Sequence, residues 1–381
     1  EPQTNGGSTK PLCCSFCANH CNVGIPVMDS PRTNALSHKQ TEEIIQVIKA
    51  AGYTKPALIA DTLQGGIWRS VQEKTEKKVA IKGTNIDLHK NGSAKLKNGT
   101  SCLVAENMLS EMSILKHLSA DSRCPAGIVQ YVDSFQSDTF YFLAMEDGGH
   151  SLLALVRRAH QLIKMKTLQI TEWQRVCRVM YQQMVESVAY LHSHNVCHFD
   201  LSIENFLIND SNISVVPTPD GQVIKFHIDE TDLDGAGAST LKPIGIQTKL
   251  CDFGLAERFG ITDDNTQSVF MSTKYCGKPH YMSPEVASQD GLGCFNAKSN
   301  DVWCLGVCLY VMCIGTYPWT HATLNDRFFV DAMNGNLLFA LRKWNKLHYI
   351  TPEIYEILEA CFQFEKYRIS VEELAKCQWL L

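Results

Sequence analysis

The hydrophobic pattern changes character at Gly148-Gly149, and that change constrains the fold more than any other feature of the chain. Before the glycine pair, short alternating runs at residues 57–63, 67–72 and 78–82 read as antiparallel strands. A helical spacing follows at 104–118 (Met108, Met112, Leu115), then two more strands at 128–135 and 139–145. After the pair the pattern is helical, at 170–193, at a very apolar 302–315, and at the shorter 352–364 and 371–377. A small β-rich half with one helix, followed by a larger helical half, predicts an α+β architecture of two lobes. The 381 residues supply enough chain for both.

Boundaries follow from the same pattern. Residues 1–40 are polar and Cys-rich and are expected to form a flexible arm; residues 41–56 read as a helix and linker. Thr41 is the expected N-cap of that helix, with Ile44, Ile45, Val47 and Ile48 on one side. The first lobe is then 57–147 and the second 148–381, interrupted by a Pro-, Gly- and Asp-rich surface insertion at 210–247. Asn91-Gly92 and Asn98-Gly99 mark a mobile, Lys-rich loop.

Charge and cysteine content narrow the function. Thirty-five Lys+Arg against 40 Asp+Glu give −5, which argues against a nucleic-acid partner held by a globally basic surface. The longest apolar run, 302–315, has the length of a buried core helix, so no membrane span is expected. Among 16 cysteines, Cys304, Cys308 and Cys313 sit in apolar surroundings and read as reduced core thiols of an intracellular, cytoplasmic protein, monomeric by default. Near the start, Cys14, Cys17, His20 and Cys21 have ligand types suited to Zn²⁺; free thiols on a flexible arm are the first reading and a zinc knuckle the second.

Five motifs then occur in one order: Val79-Ala80-Ile81-Lys82, a helix bearing Glu111, the run from His198 to Asn205 (HFDLSIEN), Asp252-Phe253-Gly254, and Ser283-Pro284-Glu285. Each alone is weak. Together they resemble the eukaryotic protein kinase family from about residue 57 to 381. The resemblance implies a two-lobed kinase fold, ATP with Mg²⁺ (Mn²⁺ as an alternative ion), and a protein substrate. It implies that Lys82 holds the α/β-phosphates, oriented by Glu111 with Glu106 as runner-up. Asp252 and Asn205 are the implied metal ligands, and Asp200 the group that accepts or orients the substrate hydroxyl proton. For adenine it implies an apolar slot of Leu63, Val71, Ala80 and Leu207, with Met145 as gatekeeper and the backbone of Glu146, Asp147 and Gly148 as hinge. Glu285 with Arg368 matches a buried structural ion pair, and Asp301 is expected to cap backbone N–H groups of the catalytic loop.

Four departures qualify the resemblance. Against the family's G-x-G-x-x-G-x-V, the segment from Gln64 to Val71 keeps only Gly66, where backbone amides are expected to approach phosphate; Arg69 is expected to point to solvent, with cover over the phosphates as the alternative. Phe199 replaces the Arg before Asp200, so a phosphate on Ser268, Ser272 or Thr273 lacks an obvious dock and activity should not depend on one. Ser202 stands where Ser/Thr kinases carry a Lys, and Lys278 where the family has Thr, which suggests that Lys278 reaches into the space Ser202 leaves. The weak glycine loop and the missing Arg and Lys are similar to the apicomplexan FIKK group of divergent kinases, although Val79-Ala80-Ile81-Lys82-Gly83 does not match that group's name motif. The expected activity is transfer to Ser/Thr hydroxyls, with Tyr left open and a basic substrate favoured by Glu204. The rival is a nucleotide-binding pseudokinase or scaffold.

Overall fold

Helix α1 (His38–Ala50) starts at Ser37, four residues before the expected cap at Thr41. Ser37 and Gln40 form a reciprocal capping box, with Gln40 N–H donating to Ser37 Oγ and Ser37 N–H donating to the Gln40 side chain at 3.0 Å. Thr41 Oγ1 instead donates back to the Ser37 carbonyl. The computed structural model describes residues 36–95, 101–209, 213–218, 221–226, 246–260, 270–288 and 293–381. The cysteine arm, its zinc alternative and the Asn98-Gly99 turn lie outside the described residues.

The expected linker before residue 57 is strand. β1 (Tyr53–Thr62), β2 (Gly65–Gln72) and β3 (Lys78–Asn85) form a meander, with Tyr53 opposite Gln72. The register slips between Thr54 and Ala57, where Lys55 takes a left-handed φ of 51° and Pro56 has no N–H to give. Short α2 (Ile86–Asn91) and the hairpin β4 (Ser93–Lys95)/β5 (Ser101–Leu103) precede α3 (Met108–Ser119). Thus the expected mobile loop contains a helical turn, closed by Gly92 at φ 58°, and a strand pair. β6 (Tyr131–Gln136) and β7 (Phe140–Glu146) complete a five-stranded antiparallel sheet in the order β1-β2-β3-β7-β6.

Register divides the sheet into two faces. Trp68 lies opposite Ile81 and Ser70 opposite Val79, whereas Ile67 faces Lys82 and Arg69 faces Ala80 on the other side. The outer face packs Trp68, Val79, Ile81, Phe142 and Ala144 against Ile44 and Ile48 of α1, one helical turn apart. Each fully buried large apolar side chain there contributes about 1.5–3 kcal/mol, so α1 is an integral layer of this lobe. The inner face, bearing Lys82, looks toward the second lobe.

The helical lobe opens with β8 (His150–Ser151), α4 (Leu152–Lys164) and α5 (Ile170–Ser193), the last with the bounds its periodicity predicts. The strands β9 (Val196–Cys197), β10 (Phe206–Asn209), β11 (Ile213–Thr218), β12 (Gly221–Phe226), β13 (Gln247–Leu250) and β14 (Glu257–Arg258) follow. β13 returns to pair with β10, so Gln247 belongs to the sheet and not to the insertion, whose described part is the β11/β12 hairpin. Then come β15 (Met271–Ser272), α6 (Pro284–Ala287), β16 (Phe295–Asn296), α7 (Ala297–Ile314), α8 (Arg327–Gly335), α9 (Leu337–Lys343), α10 (Pro352–Cys361) and α11 (Val371–Leu374).

α7 is the axle of this lobe. Asn296 caps its start by accepting from Ser299 N–H, and Gly315 ends it at φ 77°. Near its C-terminus the Met312 carbonyl receives Trp173 Nε1–H at 2.7 Å and lies 2.9 Å from His160 Nε2, satisfying an orphan group of the last turn. Starting at Ala297, the helix is longer than the expected run and apolar enough to cross a membrane, yet that window is 89% buried inside the lobe. The eleven cysteines from Cys124 to Cys377 are free, and burial pushes the thiols of Cys177, Cys251, Cys304 and Cys308 well up in pKa.

Gly148-Gly149 joins the lobes under tight constraint. Gly149 has φ 95°, and a Cβ there would lie 2.2 Å from the Ile208 carbonyl oxygen. Gly149→Ala is expected to lower stability by about 1–3 kcal/mol, read as a fall in the urea midpoint, because strain and clash add at one position. An unchanged midpoint would show that the junction relaxes freely.

Candidate active site

Lys82 lies on an inner-facing rung of β3, and three carboxylates converge on it. Its Nζ lies 2.8 Å from Glu111 Oε2, 2.8 Å from Asp252 Oδ1 and 3.3 Å from Glu106 Oε2. Both glutamates named as possible partners therefore reach the same ammonium. Glu111 is the more deeply fixed, because its other oxygen accepts from Phe253 N–H at 3.1 Å. The helix pattern read from Val104 overshoots at this point: Asn107 caps α3 by accepting from Ser110 N–H. Glu111 consequently sits in the first turn, where the helix dipole favours a carboxylate.

Charge is unbalanced in this cluster. Burial works against the Lys82 ammonium, but Asp252, Glu111 and Glu106 outweigh it and hold its pKa well above the usual lysine value. Burial raises Glu111 to about 7 and raises Glu106 as well, with Lys82 pulling both the other way. For Asp252 burial pushes up, but Lys82 wins and leaves the carboxyl below its ordinary value.

The loop from His198 to Asn205 is hung from Asp301 in α7. Asp301, fully buried, accepts from His198 N–H at 2.9 Å and Phe199 N–H at 3.1 Å and lies 3.0 Å from His192 Nε2. His198 is neutral, its pKa lowered mainly by burial. Its Nδ1 accepts from Asp200 N–H, which places the proton on Nε2, 3.1 Å from the Cys251 carbonyl. Its ring packs on Phe253 at 5.1 Å between centroids. Asp200 Oδ2 accepts from Asn205 Nδ2 at 2.7 Å and Lys278 Nζ at 2.8 Å. The same Nζ is 2.7 Å from Ser202 Oγ. Asp200 Oδ1 and Asp252 Oδ2 are buried without a hydrogen-bond partner.

Of the expected apolar slot, the structure brings together Ala80, Met145 and Leu207. Ala80 pairs with Met145 across β3 and β7, and Leu207 packs beneath the Gly148 backbone. Glu146 is held by Lys249 at 3.0 Å, and its N–H donates to the Gln130 carbonyl. The other expected positions shift. The register sets Arg69, not Val71, opposite Ala80; Val71 lies one rung outward, opposite exposed Lys78.

Arg69 does not point to solvent. Its guanidinium binds Asp147 at 2.7 and 3.2 Å and the Gly149 carbonyl at 3.2 Å, strapping β2 to the hinge. A carboxylate within reach of a planar fork outcompetes water for it. Nor is Gly66 in an open loop. Thr62 pairs with Gly65, which leaves a two-residue turn of Leu63 and Gln64, and Gly66 lies inside the ladder opposite Asp61 and Gly83. Lacking a Cβ, Gly66 and Gly83 make room for the Trp68 indole. Gln64 is buried and donates to the Leu88 carbonyl, and its own carbonyl accepts from Asn85 N–H, so the turn is pinned to α2.

Segment 270–288 lies over the loop. Phe199, in the place of a charged residue, packs with Leu255, Cys276, Met282 and Phe295, with Phe259 and Phe270 against them. Lys274, for which the sequence gives no signal, donates to the Leu255 carbonyl at 2.7 Å, pairs with Glu257 at 3.0 Å and lies 5.2 Å above the Phe199 ring. Glu285 pairs with Arg368 at 2.7 Å, as expected of that couple. Glu204 accepts from Tyr281 Oη at 3.0 Å and Tyr317 Oη at 2.9 Å.

The donor set fits a hard divalent cation. Asp252 and Asp200 each keep a buried oxygen without a partner, Asn205 sets its side-chain amide against Asp200, and the cluster carries excess negative charge. A second His/Cys/Asp group, His192, Cys197 and Asp301, is built otherwise, since both Asp301 oxygens hold backbone N–H groups.

Compared with known proteins, residues 63–380 match the family model described as protein kinase domain. The serine/threonine-protein kinase ksp1 of Schizosaccharomyces pombe is 27% identical over 70% of this chain and 46% of its own length. The serine/threonine-protein kinase dkf-1 of Caenorhabditis elegans is 24% identical over 83% of this chain and 34% of its own. Serine/threonine-protein kinase 33 of Bos taurus is 24% identical over 86% and 55%. The matched region thus spans about a third to a half of these curated relatives.

Proposed function

The chain belongs to the protein kinase domain family, and on that footing we propose that it transfers the γ-phosphoryl group of ATP to Ser/Thr hydroxyls of a protein. The observation that carries this reading is Lys82 of the first lobe held at 2.8 Å by both Glu111 and Asp252, with Asp200 and Asn205 paired on the loop beside Asp252. Asp252 and Asn205 would hold Mg²⁺, which neutralises phosphate charge when bound. Lys82 is placed to take the α/β-phosphates while Glu111 keeps it aimed. Asp200 Oδ1 accepts the substrate hydroxyl proton as the new O–P bond forms and the bond from Pγ to the β-phosphate oxygen breaks, releasing ADP.

Four finer readings have their own support. Tyr281 and Tyr317 fix the Glu204 carboxylate through neutral hydroxyls without cancelling its charge, which suits a basic residue beside the target hydroxyl. Segment 270–288 is braced by the Phe199 cluster and the Lys274–Glu257 pair, contacts that need no phosphate. Buried thiols of raised pKa suit a reducing compartment. The departures at Phe199 and Ser202 are the basis for a likeness to the FIKK group.

The test is phosphate transfer from Mg·ATP to a degenerate Ser/Thr/Tyr peptide array, with Asp252→Ala as the blank. The triple variant Ser268→Ala, Ser272→Ala, Thr273→Ala is expected to keep turnover within a few-fold of wild type, and its complete loss would remove the phosphate-independent brace. The pinned Leu63-Gln64 turn favours a second reading, a nucleotide-binding pseudokinase. Silence of the wild type toward every peptide, with Mg·ATP still raising its melting temperature, would select it.

A further inference from the structure

We propose that Lys278 is the cation that holds the transferring phosphoryl group, delivered by the segment above the catalytic loop in place of a lysine within it, and that it also decides which Asp200 oxygen acts as base. The inference rests on the kinase reading and adds a named charge to it.

Depth is the first argument. Lys278 is 7% exposed although its four-carbon stem could carry the ammonium to water. Burying a lone ammonium is costly, so its position reflects what it binds: Asp200 Oδ2 at 2.8 Å and Ser202 Oγ at 2.7 Å. Ser202 is fully buried and short, and the room a longer side chain would occupy is where the Lys278 ammonium ends.

The backbone is built for this approach. Gly277 has φ 99°, and a Cβ there would stand 2.8 Å from the Phe199 carbonyl oxygen, so only glycine lets the segment lie this close to the loop. Pro279 follows directly, and the Lys278 carbonyl accepts from Tyr281 N–H at 2.9 Å and Met282 N–H at 3.2 Å. Lys278 is therefore fixed from both sides.

Chemistry assigns the role. With Asn205 and Lys278 both on Oδ2, Asp200 presents Oδ1, buried and unpartnered, to the incoming hydroxyl. An ammonium bound to the base stands beside the point where the hydroxyl oxygen meets the γ-phosphorus, and there a fixed cation stabilises charge on the phosphoryl oxygens. The segment over the loop and the phosphate-holding charge become one structural unit. Folding that segment in completes the catalytic set.

The test exchanges the two positions. Lys278→Thr is expected to lower kcat by about 10²–10³-fold with little change in KM for ATP. Ser202→Lys combined with Lys278→Thr is expected to recover at least about tenfold of that loss. In parallel, calorimetry compares Mg·AMP-PNP with Mg·ADP. Lys278→Thr should erase roughly tenfold of the preference for the triphosphate analogue, and the double variant should regain it, as for a charge-assisted bond to the γ-phosphate. Wild-type turnover in Lys278→Thr, or a folded double variant that regains neither kcat nor the preference, overturns the proposal and leaves Lys278 structural. Should the single variant not fold, the double variant alone decides, since it must show both. If the wild type binds nucleotide without transfer, the kinase reading fails while the AMP-PNP preference still judges Lys278. If it binds neither nucleotide, both fail.

Discussion

Asp252→Ala is expected to reduce phosphoryl transfer by about 10³-fold or more while leaving the apo protein folded. The two halves of that expectation come from different atoms. Oδ2 is the buried, unpartnered oxygen that the site offers to a cation, so its removal takes away a preorganised electrostatic partner of the transferring group. Oδ1 is one of three carboxylate oxygens on Lys82, and Glu111 and Glu106 remain to satisfy the ammonium. The variant sheds negative charge from an over-supplied cluster, so its melting temperature without nucleotide should match or slightly exceed wild type. The stabilisation that Mg·ATP confers on the wild type should shrink. Transfer retained within tenfold, or a collapsed apo protein, would show that Asp252 serves another purpose.

Asp301→Ala is expected to do the reverse, acting on stability first and on catalysis through it. Asp301 is fully buried, and its loss strands the N–H groups of His198 and Phe199 and removes the partner of His192. Breaking a buried charged hydrogen-bond node costs about 3–5 kcal/mol, a large share of the total stability of any domain. Asp301→Asn should cost less than the alanine change, since its one carbonyl oxygen can keep one backbone donor. A urea titration followed by tryptophan fluorescence reads the difference. An alanine variant with a wild-type midpoint would mean that the loop is held elsewhere.

The parts legible in the sequence were those with long periods or rigid chemistry. Helix α5 was readable to the residue because 24 positions of one amphipathic pattern leave little freedom at the ends. Lys82, Glu111, Asp200, Asn205 and Asp252 could be named because each residue type suits one electrostatic task in a fixed order. The sequence pattern does not announce α4 or the short α8 and α9. α4 starts at Ser151, which makes no side-chain capping bond, and α8 and α9 meet at Asn336 after runs too brief for a period to emerge. Periodicity puts the start of α1 at Thr41, but a reciprocal box at Ser37 outcompetes that lone cap.

Two features of the site depend on register, which no linear pattern reveals. Val71 and Arg69 differ by one rung, and only the pairing with β3 shows which of them lies over Ala80. The strap from Arg69 to Asp147 joins residues 78 positions apart and was invisible for the same reason. The Gln64 turn looked like a degraded loop because glycine count was the only cue; its hydrogen bonds to α2 make it a closed corner.

Helix α1 also redraws where the catalytic unit begins. The family match starts at Leu63, yet the outer face of the sheet is completed by residues from Ser37 to Thr62. A fragment cut at the match would uncover Trp68, Val79, Ile81 and Phe142 together and turn β2 into an unpaired edge, the two conditions that make recombinant domains cling to one another. For cloning, limited proteolysis or fusion, the natural seam lies upstream of Ser37, and similarity alone would place it about a helix and a strand too late.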